Sequence, residues 1–217
     1  MSDSLLKYYQ QRAAEYEGIY DKPERQANLM ELRKLLRLVL DGHRVLELAC
    51  GTGYWTEVIA ETAEFILATD ANKSVLDIAR EKQLSPSKVS FIEADAYALD
   101  GLPRNFTALL SAFWWSHLPR QNIRKFLDSI HSFLPQGSLI VFIDNLYVEG
   151  SSTPISENDG FGNTYQIRKL SNGSSHRVLK NFHSKKELLE ATNVRFDETT
   201  VTELDYFWFL KGKTKAA

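Results

Sequence analysis

The fold of this 217-residue chain is decided by one stretch of its sequence, Val45-Leu46-Glu47-Leu48-Ala49-Cys50-Gly51-Thr52-Gly53. Its first four residues have the composition of a short buried strand, and the two glycines let the backbone turn sharply. Residues 54–62 then have the composition of a helix. A strand that enters a helix through a glycine loop is typical of the first unit of a parallel α/β sheet.

The alternation of strand and helix continues outward from this stretch. Apolar runs predict four more strands, near residues 65–69, 89–92, 106–114 and 138–143. Amphipathic segments predict helices between them, among them 74–82 and 119–134. Nearly continuous apolar strands are typical of strands buried on both faces, so we expect a parallel sheet with helices on each side.

The flanking segments break this pattern. Before the sheet, Tyr8, Arg12, Tyr16 and Tyr20 recur at four-residue steps and predict a helix over residues 5–20, followed by a second helix from Pro23. After Asp144 we expect a long loop and then a hairpin that turns at 171–173. A helix should follow from the capping box at 184–187, and two late strands at 196–204 and 206–211.

Charge and cysteine content exclude several classes of protein. The 26 basic and 28 acidic residues give a net charge of −2, which argues against a general binder of the nucleic-acid backbone. Cys50 is the only cysteine, so no disulfide forms within the chain, and we assign no metal site. The longest apolar run is residues 139–143, and the first nine residues lack a signal-peptide core, so we expect a cytoplasmic protein with no membrane partner.

Acidic residues stand at the predicted ends of the strands, where an open parallel sheet binds its ligand. Asp70 is placed to accept hydrogen bonds from ribose hydroxyls, and Asp95 to accept one from the exocyclic amine of adenine. Glu47, at the entry to the glycine loop, suits positive charge rather than a pyrophosphate. Thr56 stands where a dinucleotide fingerprint has its third glycine. These residues indicate an adenosine with a cationic tail.

Five motifs, in order, resemble those of the Rossmann-like, class I S-adenosylmethionine-dependent methyltransferases. The first is residues 45–53, and the others are Ala68-Thr69-Asp70-Ala71, Phe91-Ile92-Glu93-Ala94-Asp95-Ala96, Ser111-Ala112-Phe113-Trp114-Trp115-Ser116-His117-Leu118-Pro119 and Leu134-Pro135-Gln136-Gly137-Ser138-Leu139. The segment 8–16 is similar to the N-terminal helix of members that act on small molecules. Ala49 departs from the usual glycine but still permits the turn.

The resemblance implies a seven-stranded, mostly parallel sheet with helices on both faces and an antiparallel last strand. We expect a single domain, residues 1–217, with four parts: N-terminal helices that form a lid (1–41), a cofactor-binding core (42–144), an insertion after the fifth strand (145–183) and a C-terminal helix and hairpin (184–217). We expect the insertion to hold the methyl acceptor and its first half to be mobile until ligand binds.

The resemblance also assigns roles to residues that match its motifs. The cofactor is S-adenosyl-L-methionine, and its product is S-adenosyl-L-homocysteine. The methionine part would lie against Glu47, Ala49, Gly51 and Gly53, the ribose against Asp70 and Ala71, the adenine against Asp95 and Ala96, and the sulfonium against Phe113 and Trp114. Tyr8, Arg12 and Tyr16 would cover the methionine end, and His117 is the candidate general base.

Each role has a plainer alternative. Asp70 and Asp95 are also suited to capping the segments that follow them, and Glu47 to being a buried acid satisfied by the backbone. Tyr8, Arg12 and Tyr16 also fit a simple packing face, and His117 a loop-ordering residue. Trp114 and Trp115, as strand neighbours, are expected to face opposite sides. The cations Arg168, Lys169, Arg177 and Lys180 are expected to form a solvated hairpin face rather than contact an anionic substrate.

The expected acceptor is a small molecule that is methylated on oxygen, nitrogen or carbon. No Asn/Asp-Pro-Pro-Tyr tetrapeptide follows the fourth strand and no basic appendage is visible, so we expect no DNA partner. No feature of the sequence specifies an oligomeric state. Three alternatives stay open: an NAD-dependent oxidoreductase, a non-catalytic S-adenosylmethionine-binding protein, and an RNA or protein methyltransferase.

Overall fold

The computed structural model describes residues 3–216, and the side chains from residue 7 onward except that of Ala14. Its α-helices are α1 (Asp3–Arg12), α2 (Gln26–Val39), α3 (Tyr54–Ile59), α4 (Lys73–Glu81), α5 (Ile123–Phe133) and α6 (Lys185–Thr192). Its strands are β1 (Arg44–Leu48), β2 (Phe65–Asp70), β3 (Val89–Glu93), β4 (Ala108–Ala112), β5 (Leu139–Asn145), β6 (Glu157–Asn158), β7 (Thr164–Lys169), β8 (Ser175–Leu179), β9 (Phe196–Glu203) and β10 (Phe207–Thr214).

Seven of the described strands form one sheet in the order β3-β2-β1-β4-β5-β10-β9. The pairs β1–β2, β2–β3, β1–β4 and β4–β5 are parallel, whereas β10 pairs antiparallel with both β5 and β9. The expected seven-stranded sheet with an antiparallel last strand is therefore confirmed. Strand order reverses between β1 and β4, so the carboxyl ends of these two strands border the crevice where such sheets bind ligands.

Each face of the sheet has its own apolar core, because alternate residues of a strand point to opposite faces. On β1, Val45 belongs to one core and Leu46 to the other. The Val45 side is covered by α2, α3 and α4 through Leu29, Leu36, Trp55, Val58 and Leu76. The Leu46 side is covered by α5 and α6 through Phe126, Leu127, Ile130 and Leu188.

The N-terminal segment departs from the predicted continuous helix. The α-helix α1 ends at Arg12, and residues Ala13–Tyr20 form a 3-10 helix. A 3-10 helix has three residues per turn, so the four-residue spacing of the tyrosines does not continue as one α-helical stripe. Gly18 lies in this part, where its low helix propensity disfavours the α-helix.

The fourth strand is shorter than predicted, and its last residues turn away from the sheet. It ends at Ala112 because Phe113 takes a φ of 58°, outside the range of a strand. Trp114 and Trp115 therefore do not alternate as strand neighbours, and both are buried in the same core. This turn carries residues 115–117, a short 3-10 helix, over the carboxyl end of the sheet.

The insertion after β5 forms a small sheet of its own. β7 and β8 pair antiparallel around the predicted turn at 171–173, and β6 adds to β7. The loop that precedes it is tied down: Ser151 Oγ accepts from Arg25 Nη2 at 2.9 Å and donates to Glu24 Oε1 at 2.9 Å. The start of the insertion is thus held against the segment that precedes α2. The predicted capping box of α6 is also confirmed, since Ser184 and Glu187 hydrogen-bond reciprocally.

Within residues 3–216, no helix is long and apolar enough to cross a membrane.

Candidate active site

The glycine loop after β1 is built from residues with positive φ. Ala49, Gly51 and Gly53 have φ angles of 56°, 57° and 78°. Alanine in this region costs about 1–2 kcal/mol, so Ala49 does form the predicted turn but under strain. A Cβ atom on Gly53 would lie 3.0 Å from the Cβ of Ala79. The close approach of α4 therefore favours glycine at position 53.

Asp70 stands at the end of β2 and organises this loop. Its Oδ2 accepts from the backbone N–H of Gly51, and its Oδ1 from that of Asn72, both at 2.9 Å. Burial raises the pKa of Asp70 to about 6, although these two hydrogen bonds favour the charged form. Each carboxylate oxygen keeps a second lone pair, so both can still accept a hydrogen bond from a ligand.

Glu47 lies one strand over and is almost fully buried. Its Oε2 accepts from the Thr56 hydroxyl at 2.6 Å, but its Oε1 has no hydrogen-bond partner among the described atoms. Burial, with a further contribution from Asp70, raises the pKa of Glu47 to about 8. Without a ligand this acid is therefore largely protonated near neutral pH, and a ligand that carries positive charge and hydrogen-bond donors would favour its ionised form.

A small cavity of about 40 Å³ opens beside the glycine loop and Asp70, and the predicted residues Glu47 and Gly53 are not on its wall. The structure brings together many of the predicted site residues on its wall, namely Tyr16, Ala49, Gly51, Asp70, Phe113, Trp114 and His117. A Cβ atom on Gly51 would lie 3.7 Å from Cε1 of Tyr16, so the N-terminal segment closes over the glycine loop. Cys50 is buried in the same loop, and burial raises the pKa of its thiol well above the ordinary value.

Other predicted residues lie elsewhere. Asp95 and Ala96 follow β3, where Asp95 Oδ1 accepts from the backbone N–H of Tyr97 at 3.0 Å and Ala96 packs in the core. The Ala94 backbone N–H donates to Asp70 O at 3.0 Å, which holds this turn beside the end of β2. Ala71 is half-buried directly after Asp70.

A larger cavity of about 350 Å³ adjoins the small one, between the N-terminal segment and the insertion. Tyr8 and Arg12 lie on this cavity, and Arg12 Nη1 donates to the Tyr8 hydroxyl at 2.8 Å. The two cavities share Tyr9, Tyr16, Phe113 and His117. We call this shared wall the junction of the two cavities.

His117 is buried at the junction, and both of its ring nitrogens are engaged. Its Nδ1 lies 2.7 Å from the carbonyl oxygen of Leu179, which only accepts, so this nitrogen carries the proton. Its Nε2 therefore accepts from the Tyr9 hydroxyl, also at 2.7 Å. Burial, reinforced by Lys180 and Arg168, holds the pKa of His117 well below its usual value, so the ring is neutral at physiological pH.

The predicted solvated face of the hairpin is wrong for two of its four cations. Lys180 is 4% exposed and pairs with the fully buried Asp144 at 3.0 Å, and Arg168 is half-buried on the wall of the large cavity. Lys169 and Arg177 are exposed as expected, although Lys169 also borders the large cavity; Arg177 pairs with Glu157. The hairpin folds back over the sheet, and this brings one of its sides inward.

Lys180 and Asp144 form a buried cluster that sequence reasoning missed. Lys180 Nζ donates to Ser116 Oγ at 2.6 Å and to Asp144 Oδ1 at 3.0 Å, and Asp144 Oδ2 accepts from Ser116 N at 2.8 Å. Burial would raise the pKa of Asp144, but Lys180 and His117 outweigh it and lower that pKa. The position of Asp144 at the end of a strand was a visible signal, whereas nothing local marks Lys180.

No group of three or more His, Cys, Asp or Glu side chains in the described part of the chain is arranged to hold a metal ion.

Comparisons with known proteins agree with this architecture. A family model described as a methyltransferase domain matches residues 45–137. The structure resembles DhpI in complex with SAH (TM-score 0.79, 28% identity, 99% of this chain and 97% of that one) and the DhpI-SAM-HEP complex (TM-score 0.78, 28% identity, 98% and 99%). The N-methyltransferase NodS from Bradyrhizobium japonicum, solved with S-adenosyl-L-homocysteine, shares the fold at a TM-score of 0.68 and 14% identity, over 99% and 100% of the two chains.

One curated relative is a demethylmenaquinone methyltransferase from Clavibacter sepedonicus. It is 29% identical over 103 residues, which is 48% of this chain. The match spans only 41% of the length of that enzyme.

Proposed function

Because the chain belongs to the class I S-adenosylmethionine-dependent methyltransferases, we propose that it transfers the methyl group of this cofactor to an oxygen, nitrogen or carbon atom of a small molecule. The observation that carries the proposal is the arrangement at the carboxyl end of the sheet. The glycine loop and Asp70 lie there beside the large cavity, which the N-terminal segment and the insertion line.

S-adenosylmethionine is the cofactor, and the acids at the carboxyl ends of β1 and β2 fit it. Asp70 is placed to accept from the ribose hydroxyls, and the partnerless Oε1 of Glu47 suits a cationic methionine portion. When bound, the cofactor supplies a methyl group on a sulfonium, which is already activated for displacement. The protein then has to hold the acceptor in line with that methyl group and exclude water.

His117 and Tyr9 occupy the position where the transfer would occur. Both ring nitrogens of the neutral His117 are engaged, whereas the Tyr9 oxygen that donates to Nε2 keeps its own lone pairs for an acceptor. The Tyr9 oxygen is able to accept a proton from an acceptor hydroxyl or amine only as it passes its own proton to Nε2. We therefore propose that His117 acts through Tyr9 rather than as a direct base.

A small-molecule acceptor is supported by the relatives. Demethylmenaquinone methyltransferase is named for a small molecule, and one DhpI structure contains a ligand, HEP, beside SAM. The cavity of about 350 Å³ is in the size range of small-molecule sites. These observations favour a small acceptor over RNA or protein.

Two measurements test the proposal. Calorimetry should detect binding of S-adenosylhomocysteine and no binding of NAD. Purified protein with radiolabelled S-adenosylmethionine should then label the small-molecule fraction of a metabolite extract but not added RNA or protein. Label in a macromolecule would transfer the proposal to the RNA or protein class, and cofactor binding without any transfer would leave a binding protein.

A further inference from the structure

The large cavity is lined by an unusual excess of positive charge. Among its described lining residues there are six cations and one carboxylate, that of Glu15; the cations are Arg12, Lys22, Arg25, Arg168, Lys169 and Lys180. The whole chain has a net charge of −2, so this concentration is local and opposite in sign to the rest of the protein. A concave surface with one sign of charge attracts and concentrates ligands of the other sign.

The arginines of the cavity are held by neutral partners rather than by acids. Arg168 donates to the side-chain oxygen of Gln166 at 2.9 Å, and Arg12 to the Tyr8 hydroxyl at 2.8 Å. Arg25 donates to Ser151 Oγ at 2.9 Å and to Asn145 Oδ1 at 3.3 Å. Within the described part of the chain, none of these three arginines has a carboxylate within 4 Å. Arg25 is buried, and Arg12 and Arg168 are half-buried. Arginines withdrawn from solvent to this extent are ordinarily paired with an anion, so the protein itself leaves this charge uncompensated.

Lys180 supplies a further hydrogen-bond donor, because its ion pair with Asp144 does not engage all of its ammonium protons. An ammonium group has three protons, and its two described acceptors are Ser116 Oγ and Asp144 Oδ1. Asp144 also accepts from Ser116 and from the backbone N–H of Asn145, at 2.7 Å for the latter, so its negative charge is shared among several donors. The third proton of Lys180 is therefore available on the wall of the cavity.

These cations are fixed by the fold rather than free to move. Arg168 lies on β7, Lys180 follows β8, and Arg25 precedes α2, where it stacks on Tyr206 and Phe207. Arg12 lies between the rings of Tyr8 and Tyr16, 5.6 and 5.4 Å from their centroids. Side chains that are immobilised in advance lose little entropy when they bind, which is a property of binding sites and not of solvated surface charge.

From this arrangement we infer that the methyl acceptor is a small acid, whose oxyanion group (a phosphonate, phosphate or carboxylate) is held in the large cavity by Arg168 and Lys180. The inference rests on the proposed function, since it names the substrate class of the same site. The oxyanion serves as the handle that orients the acceptor, with the rest of the molecule directed toward Tyr9 and the junction with the small cavity.

Simple anions test this inference on the full-length protein saturated with S-adenosylhomocysteine. Methylphosphonate, inorganic phosphate and acetate are titrated by calorimetry at constant ionic strength set with chloride, with acetamide as the neutral counterpart of acetate. We expect one class of anion to bind at millimolar concentration or better and acetamide not to bind. The class that binds more tightly, phosphorus-based or carboxylate, identifies the acid group.

Two variants on the same hairpin sharpen the test. Arg168→Gln removes one of the six positive charges of the cavity and should weaken anion binding about ten- to a hundredfold, because it deletes charge-assisted hydrogen bonds. Arg177→Gln removes an equal charge from the exposed face and should bind as the wild type does. If Arg168→Gln does not fold, the comparison of anions with acetamide on the wild-type protein decides alone.

Failure of the inference is distinguishable from failure of the proposed function. Normal binding of S-adenosylhomocysteine without selective binding of any anion overturns the acid acceptor and leaves the methyltransferase proposal intact. Equal anion binding by wild type and Arg168→Gln also overturns it. Absence of S-adenosylhomocysteine binding would instead contradict the proposed function, whatever the anions do.

Discussion

Asp70 has two roles, and a single substitution would remove both at once. It anchors the Gly51 and Asn72 backbone, and it is placed to accept from the cofactor ribose. Asp70→Ala should weaken S-adenosylhomocysteine binding by about 1–3 kcal/mol, since a charged acceptor is removed from two hydroxyls. A 2′-deoxy analogue separates the tasks. Wild type should prefer the natural ligand, and the variant should bind both equally in calorimetry. A preference that survives in Asp70→Ala would show that the carboxylate only orders the loop.

Lys180 gives acceptor binding a defined pH dependence. Burial, opposed by Asp144 and reinforced by Arg168 and Arg25, lowers the pKa of Lys180 to about 8, and neutral His117 is its other titratable neighbour. An oxyanion needs the protonated form, so its affinity should fall as pH rises through about 8. Titration of the preferred anion at pH 7 and pH 9 measures this effect. The prediction fails if the affinity is the same at both values while S-adenosylhomocysteine still binds.

At the scale of single residues, a site residue could be predicted from the sequence only where its neighbours in the chain determine its position. Glu47 and Asp70 were identifiable because they stand at strand ends beside a glycine loop, and the loop geometry follows from neighbouring residues. Arg168 and Lys180 were misassigned because alternation along a hairpin does not tell which face packs inward. That face is set by contacts with residues some 60 positions away, such as the one between His117 and Leu179.

The helix α1 is the element with the clearest separable role. It supplies Tyr9 to both cavities and Arg12 to the larger one, while both sheet cores draw most of their side chains from residues after 28. Deletion of residues 1–12 should leave a folded protein, because Tyr20 and its hydrogen bond from Trp55 remain. Affinity for S-adenosylhomocysteine should fall at least tenfold because the lid over the small cavity is opened. Circular dichroism confirms folding, and undiminished affinity would contradict the lid.

The loop at the start of the insertion is the element we expect to respond to ligand. Residues 146–156 contain few strand hydrogen bonds, whereas β7 and β8 are paired along their length. In hydrogen exchange on the free protein, the loop should therefore exchange well before the two strands. Binding of S-adenosylhomocysteine together with the preferred anion should slow it. The hairpin serves as the internal control, and a loop whose exchange rate does not change with both ligands would not be a lid.

On the scale of the whole molecule, cofactor binding should appear as global stabilisation. A ligand that binds only the native state at 100 times its Kd adds about 2.7 kcal/mol to the free energy of unfolding. For a chain of this size that corresponds to a rise in Tm of about 5–10 °C. Differential scanning calorimetry with S-adenosylhomocysteine, and with adenosine at the same concentration as the control that lacks the amino-acid portion, measures it. An equal shift with adenosine at that concentration would contradict the role of Glu47.

The architecture of the whole sheet was predictable from the sequence, but the backbone course of the segments at its ligand-binding edge was not. Alternating apolar strands and helices define a parallel sheet, and the ordered motifs add the antiparallel last strand. The turn at Phe113 and the change to a 3-10 helix at Ala13 depend on backbone conformations that apolar composition does not encode. These are also the segments that form the junction, so the least predictable part of the fold is the part next to the chemistry.

The glycine loop carries the only thiol of the protein, and this has a practical consequence. Cys50 is buried beside two acids, so its thiol stays protonated and reacts slowly with alkylating reagents. Since no second cysteine competes, the mass of the intact chain reports on one position. The rate at which iodoacetamide labels Cys50 therefore measures how often the loop opens. An occupied cofactor site should slow this labelling, which gives a footprint of ligand binding in mixtures too crude for calorimetry.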